Sequence, residues 1–218
     1  LDAPDLDRAP VVASSLGFYL ALRGAAAHPA RVDRMVQMSC PALAPGMLTP
    51  PFLRIATLPG IGLLARRLPS TPGANRTAMR QMGHAATLAA GTMPAGYEDW
   101  YLALQRHTDT VSNDGALIAA AAGWRGFDPR LELTPELLGR VVAPSRFVWG
   151  ADDGFGGADV GQRLVELMPD ADLDVLPDAG HLPWLDDPMR VAAAVADWCG
   201  GEPSAATPLA TPRSLRDT

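Results

Sequence analysis

Lysine is absent from this chain. All 18 basic residues are arginine, set against 24 acidic ones, for a net charge of −6. The arginine bias reads as the codon usage of a GC-rich genome. Without a basic excess there is no footprint for nucleic acid or for an anionic membrane. Cysteine is nearly absent too: Cys40 and Cys199 are too few for a disulfide framework. They are expected as reduced, buried thiols of a cytoplasmic protein. No apolar run reaches the ~18 residues of a membrane span, and no charged-then-apolar leader opens the chain at Leu1. The four histidines, His28, His84, His107 and His181, are dispersed, with no His-x-His pair. A metal site is therefore not expected, and no other cofactor is called for. Gly154, Gly156 and Gly157 are followed by no lysine and form no phosphate loop. What is present is an ordinary globular composition, 48% apolar and 19% charged over 218 residues. That is enough for one domain with a sizeable core.

Four short apolar segments read as parallel strands: 10–14, 33–39, 145–150 and 173–177. The first is expected to be buried. An Ala-rich helix follows the first strand from Phe18 to about His28, stopped by Pro29. Another begins near 160, with Asp159 as its cap and Val160, Leu164 and Leu167 on one face. The last has Asp187 as N-cap, Pro188 as first residue and Val191, Val195 and Trp198 on its buried face. Strand and helix alternate in the grammar of an α/β sheet. Between residues 46 and 143 no strand is legible. Helices are expected over 52–68, 74–90 and 113–124, on the face shared by Tyr97, Tyr101 and Leu104, and after Thr134-Pro135. This much helix is too long for a loop and is expected as a cap. Residues 1–45 and 144–199 would then form the core, and 200–218 a disordered tail.

The chemistry is carried by three loops. Ala13-Ser14-Ser15-Leu16-Gly17 stands where a strand passes into a helix, as a nucleophile elbow does. So tight a turn demands small residues two before and two after the nucleophile. Trp149-Gly150-Ala151-Asp152-Asp153 ends the third strand on carboxylates, and Ala179-Gly180-His181-Leu182-Pro183-Trp184 follows the fourth with a histidine. A serine hydroxyl needs a neighbouring base to become a nucleophile, and that base needs an acid behind it. All three loops lie past the carboxyl ends of strands, where open α/β sheets place their sites. On residue type alone, Asp152 competes with Asp153. His84 and His107 read as surface or packing residues of the helical segment.

These segments, together with Asp186-Asp187-Pro188, resemble the α/β-hydrolase superfamily in its cap-bearing esterase-like and epoxide-hydrolase-like branch, over roughly residues 6 to 199. The resemblance implies Ser15 as nucleophile, Asp153 as acid in Gly-x-x-Asp, His181 as base and the Leu16 N–H as one oxyanion donor. Ala13 replaces a usual glycine, and Phe18 stands where a second glycine often follows. Serine at the elbow, in place of the aspartate of dehalogenases and epoxide hydrolases, points to acyl transfer. The implied activity is hydrolysis of an ester-type bond in a small, apolar substrate. Phe18, Met79, Met82, Trp100, Trp124 and Trp184, together with Met93, are candidates for the substrate pocket. Thioesters, amides, lactones and the carbon–carbon bonds of β-diketones remain open. So do a non-catalytic ligand-binding role and an inactive fragment. The sequence leaves the oligomeric state open.

The resemblance also implies earlier strands, and a loop bearing a second oxyanion donor, ahead of the nucleophile strand. The expectation is therefore that residues 10–14 present an unpaired edge. The 218-residue chain expressed alone should be aggregation-prone and nearly inactive, and upstream sequence should restore solubility and turnover. A soluble, monomeric and fully active 218-residue protein would misplace the start of the fold.

Overall fold

The computed structural model describes residues 7–58, 70–123 and 125–200. Four strands form one parallel sheet in the order β1-β2-β5-β6: β1 (Ala9–Ser14), β2 (Val32–Met38), β5 (Ser145–Gly150) and β6 (Ala171–Leu176). Pairing runs in register from Val11↔Met35 to Ser14↔Met38, from Met35↔Ser145 to Met38↔Val148, and from Ser145↔Ala171 to Gly150↔Leu176. Helix α1 (Ser15–Ala27) joins β1 to β2. After β2, chain order gives α2 (Pro51–Ala56), α3 (Pro72–Gln81), α4 (Ala85–Ala90), α5 (Tyr97–His107), α6 (Thr110–Ala121) and α7 (Pro135–Leu138). Then α8 (Ala158–Leu167) joins β5 to β6, and α9 (Pro183–Asp186) and α10 (Pro188–Cys199) close the fold.

Alternation along the strands assigns the two faces. Phe147 and Trp149 of β5 point to the face covered by α1, α7 and α8, where Phe18, Leu22, Leu138 and Leu164 are fully enclosed. Phe18 meets Phe147 edge-on, with ring centroids 5.6 Å apart. The indole of Trp149 donates to the Gly156 carbonyl at 2.9 Å, so a fully buried polar N–H is satisfied. Val148 and Val36 point the other way and pack with Leu176, Val191 and Ala194 beneath α10. Asp187 caps α10 by accepting from the Arg190 N–H at 3.0 Å, ahead of Pro188.

Several expectations change in the fold. The first strand is not buried on both faces. Among the described residues β1 pairs only with β2, and Val12 is 43% exposed. Asp159 does not cap α8. The N-cap is Gly157, and Asp159 instead pairs with Arg163 one turn on, at 3.1 Å. The stretch 74–90 is two helices broken at Met82–His84, and 113–124 ends in a two-residue antiparallel ladder, β3 (Ala122–Gly123) with β4 (Gly126–Phe127). Gly126, at φ +116°, supplies the left-handed residue of that return. Cys40 is buried, but Cys199 is only half-buried. Trp124, the second half of the helix expected over 52–68, and the tail after residue 200 lie outside the described residues.

Because Phe147 is fully enclosed between α1 and the sheet, Phe147→Ala should destabilise the fold by about 3–5 kcal/mol, measured as a shift in urea unfolding. A change below about 1 kcal/mol would mean that this face is not the principal core.

Candidate active site

Ser15, Asp153 and His181 all follow the carboxyl ends of parallel strands, β1, β5 and β6 respectively, so all three lie at one end of the sheet. Ser15 has φ +47°, a left-handed conformation rare for a side-chain-bearing residue and typical of strain held at a functional turn. It is also the first residue of α1, whose leading N–H groups, that of Leu16 included, have no partner within the helix. A Cβ added to Gly17 would meet the Ala13 Cβ at 3.6 Å. That is ordinary van der Waals contact, so the methyl of Ala13 fits the elbow.

Asp153 and His181 are brought together. His181 Nδ1 lies 2.9 and 3.1 Å from the two carboxylate oxygens of Asp153, and both residues are buried. The carboxylate also accepts from the Cys40 N–H at 2.9 Å and the Phe155 N–H at 2.8 Å. Three donors thus compensate its charge away from water. The ring of Phe155 lies 4.3 Å from that of His181 and limits its rotation. Asp152, the competitor, is exposed and uses its N–H on the Ala179 carbonyl at 2.9 Å. Among the described hydrogen bonds, none joins Ser15 Oγ to His181. The serine is half-buried.

The loop after β2, which the sequence reading passed over, touches all three. Ser39 Oγ donates to the His181 carbonyl in a short hydrogen bond, the Cys40 N–H holds Asp153, and the Ala42 N–H donates to the Ser15 carbonyl at 3.1 Å. Ser39 itself is fully buried with φ +74°. Burial, with Asp153 beside it, pushes the Cys40 thiol well above its ordinary range, so it is not a nucleophile at neutral pH.

A second buried imidazole–carboxylate pair stands beside the first. His84 is fully enclosed and not at the surface: its Nδ1 lies 2.9 Å from Asp186, and its Nε2 accepts from the Leu182 N–H at 3.2 Å. Burial acts to raise the Asp186 carboxyl. Hydrogen bonds from His84, Thr87 and the Gly180 N–H outweigh it and hold the group below the ordinary carboxylate range.

Glycines bring three backbones into contact here. A Cβ on Gly83 would lie 2.1 Å from the Asp152 carbonyl oxygen, one on Gly154 1.9 Å from that of Gln81, and one on Gly180 2.6 Å from that of Met82. The glycine of the Gly180-His181 pair is thus required by close approach, and Gly83 by its φ of +100° as well.

The suggested pocket residues scatter. Phe18 is sealed in the core, Trp100 is 53% exposed on α5, and Trp184 packs beneath the sheet with Val36 and Leu176. Met79 and Met93 line a cavity of about 230 Å³ with Tyr97 and Tyr101. Met82 packs against the core and offers its carbonyl to the His181 N–H at 2.8 Å. His107 is exposed at the end of α5.

A left-handed serine elbow and a buried Asp–His pair at one end of a parallel sheet define the hydrolase class of α/β proteins. The chain belongs to the alpha/beta hydrolase family, whose model matches residues 1–194. It is 30% identical over 182 residues to a 2-hydroxy-6-oxononadienedioate/2-hydroxy-6-oxononatrienedioate hydrolase of Paraburkholderia xenovorans, covering 83% of this chain and 58% of that protein. A protein of the same name from Cupriavidus pinatubonensis is 27% identical, with 92% and 65% covered. Among solved structures, a 2-hydroxy-6-oxo-6-phenylhexa-2,4-dienoate hydrolase from Rhodococcus superposes with a TM-score of 0.63 at 18% identity, over 88% of this chain and 64% of that one. An N-acyl homoserine lactone degrading enzyme does so at 0.59 and 22%, over 91% and 70%. These two likenesses are of fold. The chain spans 58 to 65% of the length of those two curated relatives. Among the described residues no helix is long and apolar enough to cross a membrane.

Since folded Asp186 titrates below its unfolded value of about 3.9, its contribution to stability is complete above that value and is lost as pH falls through the folded one. Asp186→Asn should therefore lower stability at pH 7 and flatten the acid limb of the stability profile below about pH 4, read from urea midpoints. An acid limb as steep as that of the wild type would remove the carboxylate from this role.

Proposed function

We propose that this chain carries the catalytic half of a serine hydrolase, with Ser15 as nucleophile, His181 as base and Asp153 as the acid that orients it. The reading rests chiefly on the buried Asp153–His181 hydrogen bond at the end of the sheet where Ser15 occupies a strained elbow. With Nδ1–H donated to Asp153, the free Nε2 of His181 accepts the Ser15 proton as Oγ attacks a carbonyl carbon. The oxyanion draws on the Leu16 N–H at the start of α1. The protonated His181 then returns its proton to the leaving group, leaving an acyl-serine. Water, deprotonated by the same imidazole, releases the acid. None of these steps requires a cofactor. A serine–histidine hydrogen bond that tightens only with substrate present is ordinary for such sites.

The helical segment over 46–143 is proposed as the cap, with small-molecule substrates entering beneath it. For the bond cleaved, ester-type substrates follow from serine chemistry in general. A second class follows from the relatives' names. A 2-hydroxy-6-oxo-dienedioate contains no ester, and its 6-oxo ketone is the electrophile at which a serine could attack, so hydrolysis there would break a carbon–carbon bond. The two free cysteines support a reducing, cytoplasmic setting.

A fluorophosphonate probe should label the intact gene product at Ser15. Ser15→Ala and His181→Ala should each cost at least about a thousandfold in kcat, and the double variant little more, because the pair acts as a unit. Turnover of p-nitrophenyl esters and of 2-hydroxy-6-oxo-dienoates, compared side by side, decides the bond class. An unlabelled Ser15 in the folded protein would favour the ligand-binding alternative.

A further inference from the structure

The His84–Asp186 pair is buried and hydrogen-bonded through both ring nitrogens and the carboxylate, and no step of the chemistry uses it. His84 comes from the turn between α3 and α4, and Asp186 from the end of α9, 102 residues away. A backbone N–H can only donate, so the Leu182 N–H at 3.2 Å requires an unprotonated Nε2 on His84. The ring proton therefore sits on Nδ1 and is donated to Asp186. Asp186 in turn accepts from the Gly180 N–H at 2.9 Å and from the Thr87 hydroxyl.

Three consecutive backbone N–H groups are thus held from one side. Gly180 is held by Asp186, His181 by the Met82 carbonyl at 2.8 Å, and Leu182 by His84. Two of the three anchors, Met82 and His84, belong to the same turn, and the third, Asp186, is the hydrogen-bond partner of His84. The peptide units on both sides of His181 have no freedom to rotate while these bonds stand. An apolar pair of the same volume would serve stability as well or better, since the desolvation of a buried carboxylate offsets most of what its hydrogen bonds contribute. What such a pair adds is one geometry, because the Nδ1–H is held by the Asp186 carboxylate while Nε2 is held by the Leu182 N–H.

We infer that His84 is a positioning residue. Through Asp186 and Leu182 it fixes the backbone that carries His181, so that the turn from the helical segment sets the aim of the base. The inference rests on the reading of His181 as base.

The test uses the intact gene product, with p-nitrophenyl acetate as substrate and activity expressed per folded molecule. The variants are His84→Leu, His84→Gln and Thr87→Val. In parallel, the downfield proton of the His181 Nδ1–H···Asp153 bond is followed by NMR, assigned by its loss in His181→Ala. His84→Leu should lower kcat by roughly ten- to hundredfold, the cost of a misplaced catalytic group, and should shift or broaden the His181 proton. KM should stay within about twofold, since uniform binding is untouched. His84→Gln keeps a donor and an acceptor and should recover most of both readouts. Thr87→Val, the mildest change, should lower kcat severalfold and serves if His84→Leu fails to fold. Wild-type kcat and an unmoved His181 proton in the folded His84 and Thr87 variants, with His181→Ala inactive, would overturn the positioning role alone. Full turnover in His181→Ala would instead overturn the assignment of the base, and the positioning role with it, whatever the His84 variants do.

Discussion

Four residues after β2 hold the site together. The segment Ser39–Ala42 makes one hydrogen bond each to the loops of Ser15, Asp153 and His181. β2 lies between β1 and β5, so a single loop at its exit can reach Ser15 on one side and Asp153 on the other. The constraint is visible in the backbone, because Ser39 is driven to a positive φ and fully buried to do this. Such a conformation costs of order 1–3 kcal/mol and persists only where its surroundings over-determine it. Here a buried Gln37 amide on the Ser39 carbonyl at 2.6 Å and the Val148 carbonyl on its N–H at 2.8 Å do so.

The loops of Asp153 and His181 are continuous with the sheet. The ladder between β5 and β6 extends beyond its last strand residues through the Ala151 N–H to Leu176 and the Asp152 N–H to Ala179. Asp153 and His181 therefore inherit the rigidity of paired strands, as a site must when angular tolerances are small. On the outer side the turn at Gln81–His84 closes against both loops backbone to backbone. Glycines at 83, 154 and 180 are the means, since any side chain there would occupy a neighbour's carbonyl. The helical segment and the sheet are consequently not independent bodies at this seam.

Family membership and the parallel sheet agree on the fold. Membership follows from a match over residues 1–194, while the likeness to solved structures at 18 and 22% identity speaks for the fold only. The chemistry has to come from the site itself, since one fold hosts many reactions. The buried Asp153 with its three donors, and a His181 whose Nδ1 is committed to it, fit the proposed acyl transfer as well as the proposed cleavage next to a ketone. Both begin with attack on a carbonyl carbon.

Much of this was legible in the chain. The four strands, the elbow at Ser15, and the choice of Asp153 over Asp152 by its Gly-x-x-Asp spacing could be read in advance, because strand patterns and short motifs are local. So could the capping of α10 by Asp187. The 43% exposure of Val12 did not follow from the segment's own apolar pattern, which reads as buried; the unpaired edge of 10–14 was expected only through the resemblance. Nor could the role of Asp159 be read, because an ion pair with Arg163 and a helix cap make equal demands on the sequence. Phe18 and Trp100, proposed for one pocket, ended in the core and at the surface, because helical periodicity shows that a residue has a face but not what lies against it. His84 and Asp186 are the clearest case. His84 read as a surface or packing residue and Asp186 as part of Asp186-Asp187-Pro188, and only the return of the chain across 102 positions makes them a pair. The sequence by itself determined which residues could do the chemistry. The tertiary structure decided which backbone groups hold them, because those partners are carbonyls and N–H groups that every residue carries and no residue type announces.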